Sequence, residues 1–68
     1  MKMVQIIKSK DPMLWYTKHV GKTVILERED DLYYWSRDNG GYINIIHKSD
    51  AVIVNSNDIN ENIVLGYD

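Results

Sequence analysis

The sequence predicts a small all-β domain, and two aromatic-rich runs on either side of an Asn-Gly pair are the main reason. Residues 32–37 and residues 42–47 are typical of the two strands of one β-hairpin. Other short β-prone runs are separated by turn residues, all within a chain of 68 residues. This pattern favours a strongly bent barrel of about five short strands.

The pair Asn39-Gly40 predicts a two-residue type I′ turn, because both central residues of that turn need a positive φ. Counting outward from the turn places Arg37 opposite Tyr42 and predicts two faces. The face expected to form the core holds Leu32, Tyr34, Ser36, Ile43, Ile45 and His47. The face expected to reach the surface holds Tyr33, Trp35, Arg37, Tyr42, Asn44 and Ile46.

The remaining segments follow in chain order. Residues 3–8 are a β-prone opening strand. Asp11 is a typical N-cap, Pro12 suits the first helical position, and Gly21 suits the position just past a helix end, which predicts two turns of helix, or a helical turn within a loop, near residues 12–20. Residues 22–30 alternate as one strand, residues 48–51 form a tight turn, and residues 52–54 form a final buried-type strand.

The 68 residues are expected to form one domain, near the size at which a single core is marginal. The tail, residues 55–68, contains Ile63-Val64-Leu65 and is expected to add an edge strand or to dock on the barrel. The chain has no cysteine, so a disulfide and a thiolate metal site are both excluded.

Composition narrows the class of protein. The apolar stretch within residues 1–8 is too short and too interrupted for a signal peptide or a membrane span, so a soluble cytoplasmic protein is expected. The net charge of −2 argues against nucleic-acid binding through bulk electrostatics. Ala51 is the only alanine, and Arg28 and Arg37 are the only arginines. This bias is typical of an AT-rich genome, such as that of a low-GC bacterium or its phage.

The middle of the chain resembles a known fold family. Trp35-Ser36-Arg37, then Gly41-Tyr42-Ile43, and then Ser49-Asp50-Ala51-Val52 resemble the closing half of a Src-homology-3-like domain, best over residues 20–54. The resemblance extends to short phage proteins with this barrel, and it implies an aromatic strand, a short 3₁₀ turn and a last strand. The chain has Asn44 and His47 where peptide-binding members line a polyproline groove, so a proline-rich ligand is not expected.

Five residues of the predicted outer face form the candidate binding surface. Large rigid rings beside an arginine and an amide are typical of protein contact surfaces. The alternative is that the tail or residues 11–20 cover these rings, because a small domain needs its aromatics for stability. The five residues are Tyr33, Trp35, Arg37, Tyr42 and Asn44.

No pattern in the sequence indicates reaction chemistry. His19 and His47 are isolated, and Gly40-Gly41 lies in a hairpin turn rather than before a helix, so no enzyme, metal or cofactor is predicted. An acidic run around the start of the hairpin is expected to be a solvated turn, with contact to a basic partner as the alternative. That run consists of Glu27, Glu29, Asp30 and Asp31.

These observations favour a non-catalytic protein-interaction module, encoded by a phage, that binds and inhibits a host or defence protein. A nucleic-acid-binding barrel is the second hypothesis, because small barrels offer aromatic platforms for bases. The third is a self-associating component that forms a homodimer through an exposed edge strand. Sequestration of a small nucleotide ligand is a minor fourth.

Overall fold

The computed structural model describes residues 1–55, which form six short strands and two single 3₁₀ turns. The prediction of an all-β fold is confirmed. The 3₁₀ turns span Thr17–His19 and Lys48–Asp50. The strands are β1 (Lys2–Ile6), β2 (Thr23–Ile25), β3 (Arg28–Glu29), β4 (Tyr33–Arg37), β5 (Ile43–His47) and β6 (Ala51–Asn55).

The strands form two three-stranded antiparallel sheets, in the orders β2-β1-β6 and β3-β4-β5. The first sheet is built around β1, where Met3, Val4 and Ile6 are buried. The two sheets share a core but are not joined into one closed barrel within residues 1–55. The core cluster consists of Val4, Ile6, Tyr16, Val24, Ile46 and Ala51.

The predicted single strand over residues 22–30 is wrong, because the chain passes from one sheet to the other in its middle. The amide of Leu26 donates to the carbonyl of Lys2 in the first sheet (3.0 Å). The next amide, that of Glu27, donates to the carbonyl of Trp35 in the second sheet (2.8 Å). Consecutive amides that bond to different sheets produce two short strands, β2 and β3.

The predicted hairpin is present, but its turn is one residue longer than the type I′ turn. The amide of Asp38 donates to the carbonyl of Tyr42 (2.8 Å), and the amide of Gly41 donates to the carbonyl of Asp38 (2.9 Å). Gly41 takes a φ of +88°, whereas neither Asn39 nor Gly40 has a positive φ. This is the three-residue loop in which a type I turn is followed by a left-handed glycine.

The longer loop shifts the register by one residue and corrects the predicted faces. Arg37 lies opposite Ile43 rather than Tyr42, and Trp35 lies opposite Ile45 rather than Asn44. The faces of β4 are as predicted, but those of β5 are exchanged, because side chains alternate along a strand. Ile46 is therefore fully buried, and Ile43, predicted in the core, is 44% exposed. Ile45 and His47, also predicted in the core, are only half-buried. Leu32, predicted there as well, is 68% exposed, because it lies in the turn before β4.

Residues 11–20 form turns and one 3₁₀ turn, so the second predicted alternative, a helical turn within a loop, is the one observed. The carboxylate of Asp11 accepts the amide of Met13 (2.8 Å), which starts the segment as an Asx turn. Gly21, with a φ of +91°, ends it and leads into β2. Between them Tyr16 is fully buried in the core, so the segment is part of the domain's interior.

The last described strand, β6, begins directly after the 3₁₀ turn Lys48–Asp50, in agreement with the predicted tight turn. The sequence predicts a buried strand over residues 52–54, but Val52 and Ile53 are 42% and 41% exposed, because β6 lies at the edge of its sheet. The predicted role of the tail falls on residues outside the described part. Residues 1–55 contain no helix with the length and apolar character needed to cross a membrane.

Candidate functional site

The outer face of the second sheet carries the aromatic residues that the sequence singles out. The register of β3, β4 and β5 places seven side chains on this surface, which we call the aromatic face. Its members are Arg28, Tyr33, Trp35, Arg37, Ile43, Ile45 and His47.

Trp35, at the centre of the aromatic face, is held from two sides. Its indole N–H donates to the carboxylate of Asp30 (2.8 Å), and the guanidinium of Arg28 lies 4.6 Å from the ring centroid. The indole hydrogen bond and the amide of Tyr33 lower the pKa of Asp30. A cation over an indole adds about 0.5–1 kcal/mol at an exposed site. The half-buried ring therefore has a fixed orientation on the surface.

Tyr33 connects Trp35 to the neighbouring strand through edge-to-face contacts. Its ring centroid lies 6.0 Å from that of Trp35, at an interplanar angle of 79°. On the other side it lies 5.4 Å from the imidazole of His47, at 66°. Such pairs contribute about 0.5–1.5 kcal/mol beyond their buried area. The three rings form a continuous, half-buried row across β4 and β5.

Two ion pairs involve the acidic run. Arg37 lies 3.6 Å from the carboxylate of Glu27 and also donates to the carbonyl of Gly41 (2.7 Å). Lys48 donates to Glu29 (2.8 Å), and this contact raises the pKa of the Lys48 ammonium. Ion pairs this exposed add little stability. Two of the four acidic residues are thus neutralised by neighbours of the same chain.

The structure brings together three of the five predicted site residues. Tyr33, Trp35 and Arg37 share the aromatic face. Tyr42 closes the hairpin loop opposite Asp38 and is 75% exposed, with its ring near Gly40. Asn44 does not belong to the surface, because the register turns it inward opposite Ser36.

The inward Asn44 helps to build the hairpin loop. Its side-chain amide donates to Asp38 (3.0 Å), and the same carboxylate accepts the amides of Gly40 (2.9 Å) and Tyr42 (3.0 Å). These bonds lower the pKa of Asp38, that from Asn44 most strongly. Asp38 therefore fixes the loop that sets the register of the aromatic face.

Trp15 and Tyr16 support the site, although no pattern in the sequence predicts a role for them there. The indole N–H of Trp15 donates to the carbonyl of Ile45 (2.7 Å), and the hydroxyl of Tyr16 accepts the amide of His47 (3.3 Å). Residues 11–20 thus cover the outer edge of β5. The only signal for this role was an adjacent Trp-Tyr pair between a proline and a glycine, in a domain that needs its aromatics for stability.

Residues 1–55 hold no pocket and no group of three or more His, Asp or Glu side chains arranged to bind a metal ion. The chain was compared with family models, with curated proteins and with solved structures, and none of the three comparisons gave a match. The geometry of the aromatic face is therefore the basis for a functional assignment.

Proposed function

We propose that the protein is a Src-homology-3-like domain that acts as a non-catalytic interaction module, with the aromatic face as its contact surface for another protein. The sheet orders β2-β1-β6 and β3-β4-β5 support the fold assignment. So do the passage between the sheets at Leu26 and Glu27 and the 3₁₀ turn before β6.

The observation that carries the functional proposal is that Trp35 lies half-buried at the surface with its ring fixed. The ring is oriented in the free protein by its contacts with Asp30, Arg28 and Tyr33. A rigid aromatic side chain loses little conformational entropy on binding, and tryptophan and tyrosine are enriched among residues that dominate interface energetics.

The chemistry of the aromatic face favours a protein partner over nucleic acid. Arg37 pairs with Glu27, and the charge of Arg28 acts on Asp30 closely enough to help lower the pKa of that carboxyl, so the face offers no surplus positive charge for phosphates. One face of Trp35 is occupied by Arg28, which leaves less of the ring for base stacking.

The biological setting that we propose is a phage accessory protein that blocks a host or defence protein in the host cytoplasm. A single alanine and two arginines among 68 residues support an AT-rich source. An inhibitor of this kind needs only a stable surface that occupies its target.

The test is affinity capture from the lysate of an AT-rich bacterial host, with the full chain, Trp35→Ala and Ile7→Ala as baits. Ile7 is 48% exposed and follows β1 in the other sheet, so Ile7→Ala is the matched control. We expect a protein retained by the full chain and by Ile7→Ala, with its affinity for Trp35→Ala reduced by about 30-fold or more, the ratio that corresponds to about 2 kcal/mol. Equal binding by all three baits, or no specific protein, contradicts the proposal.

A further inference from the structure

Three of the four outer strand edges in residues 1–55 are protected from pairing with another strand. The edge of β2 is only three residues long, and Ser36 donates to its Ile25 carbonyl (2.6 Å). The edge of β3 consists of the charged pair Arg28–Glu29. The edge of β5 is covered by Trp15 and Tyr16. Short length, charge and coverage are the usual means by which proteins protect sheet edges.

The fourth edge, that of β6, has none of these protections. Its sequence is Ala-Val-Ile-Val-Asn, five residues without a charge or a proline. On its outer side the N–H of Ala51 donates to the carbonyl of Lys48, but no backbone group of residues 1–55 bonds to Ile53 there. The exposed fractions of Val52 and Ile53 are 42% and 41%.

The direction of the backbone groups follows from β1. The N–H of Ile6 donates to Lys22 and its C=O accepts the amide of Gly21, while the C=O of Lys2 accepts the amide of Leu26. The backbone groups of Lys2 and Ile6 therefore point toward residues 21–26. By alternation, Met3 and Gln5 direct theirs toward β6, where they face Val54 and Val52. The N–H and C=O of Ile53 therefore point out of the sheet.

We propose that the outer edge of β6 pairs antiparallel with β6 of a second copy of this chain, about a two-fold axis at Ile53. Ile53 of each copy then exchanges both backbone hydrogen bonds with its counterpart. Val52 of one copy lies opposite Val54 of the other. β-Branched side chains therefore contact each other on both faces of the joined sheet, the two Ile53 side chains on one face and the valines on the other. The strand carries no charge, so its copy meets no like charge.

The pairing joins two three-stranded sheets into one sheet of six strands. It leaves the second sheet of each copy, and thus both aromatic faces, outside the contact. The dimer presents two copies of the binding surface, which raises the avidity for a target with two sites. The proposal stands independently of the proposed function, because it is tested without any partner protein.

The test is the molar mass of the full chain by light scattering across a concentration series, together with amide exchange of Ile53. We expect the mass to rise from 8.0 kDa toward twice that value, and the Ile53 amide to become more protected as concentration rises. Ile53→Lys should restore the monomer mass, because it places two like charges at the axis. The matched control is Ile43→Lys, at a position with nearly the same exposure (44%) in the other sheet, and it should still dimerise.

Three outcomes overturn the proposal. The first is a mass of 8.0 kDa at every concentration. The second is an Ile53 amide that is already protected at concentrations where the mass is 8.0 kDa, which indicates that the chain covers its own edge. The third is a dimer that Ile53→Lys and Ile43→Lys affect equally, which places the contact elsewhere. Amide exchange in the unsubstituted chain decides the question even if Ile53→Lys fails to fold.

Discussion

The hydroxyl of Tyr16 donates a hydrogen bond of 2.5 Å to the carboxylate of Asp50, and both residues are fully buried. The second carboxylate oxygen of Asp50 has no hydrogen-bond partner within residues 1–55. The backbone carbonyl of Asp50 accepts the amide of Ile7 (2.7 Å). This pair therefore connects residues 11–20, the 3₁₀ turn before β6, and the end of β1.

The first prediction concerns the phenol of this pair. Tyr16→Phe should lower the free energy of unfolding by about 1–3 kcal/mol, because it removes the hydrogen-bond donor from a buried carboxylate. Chemical denaturation monitored by tryptophan fluorescence measures the change. The control is Tyr42→Phe, whose ring is 75% exposed, and its effect should stay within about 0.5 kcal/mol. Equal effects of the two variants would contradict the assigned role of the Tyr16–Asp50 bond.

The second prediction is a loss of stability in alkali. Burial of Tyr16 and its bond to Asp50 raise the pKa of the phenol in the folded state. Its contribution is therefore fully present below the unfolded-state pKa of about 10 and is lost as the pH rises through the folded-state pKa. The free energy of unfolding, measured from pH 8 to pH 12, should fall above about pH 10. The decline should be smaller in Tyr16→Phe, and identical declines in both proteins would count against the raised pKa.

The third prediction compares Ile46 and Ile43, because the register of β5 decides which of the two side chains lies in the core. Ile46→Ala should cost about 2–5 kcal/mol, because the side chain is fully buried in the core. Ile43→Ala should cost less than about 1 kcal/mol, because that side chain is 44% exposed. Denaturation of the two variants under identical conditions gives the comparison. A larger cost for Ile43→Ala would mean that the faces of β5 are reversed.

The fourth prediction concerns the hairpin loop. Asp38→Ala should broaden or shift the amide resonances of Gly40 and Tyr42, because their shared acceptor is lost. The bonds to Asp38 lower its pKa, so its contribution is present above the unfolded-state pKa of about 3.9 and is lost as the pH falls through the folded-state value. An acid titration of the two amide shifts should follow this carboxyl. Unchanged loop resonances in Asp38→Ala would show that another contact fixes the loop.

The fold class and the faces of β4 could be predicted from the sequence because both depend on local alternation. Tyr34 and Ser36 point inward, and Tyr33 and Trp35 outward, whichever loop joins the strands. The loop itself could not be predicted from the motif, since Asn39-Gly40-Gly41 is compatible with both a two-residue and a three-residue loop.

Two side-chain contacts accompany the longer loop. One comes from a residue just beyond the end of the loop, and the other comes from a distant segment of the chain. Asn44 binds Asp38 from across the hairpin, and His19 lies 2.7 Å from the side chain of Asn39. The same limit applies to Trp15 and Tyr16, whose roles depend on partners about 30 residues away in the chain. Local patterns carry no information about such pairings, and here they decide which side chains form the outer surface of β5.

The register of β4 and β5 determines the composition of the aromatic face, and one nuclear Overhauser measurement tests it directly. Trp35 and Ile45 face each other in a pair without mutual backbone hydrogen bonds, because Ile45 directs its carbonyl outward to Trp15. The Hα atoms of such pairs lie close together. A strong Hα–Hα contact between Trp35 and Ile45 is the expected result. A contact between the Hα atoms of Trp35 and Asn44 instead would contradict the three-residue loop and the surface that depends on it.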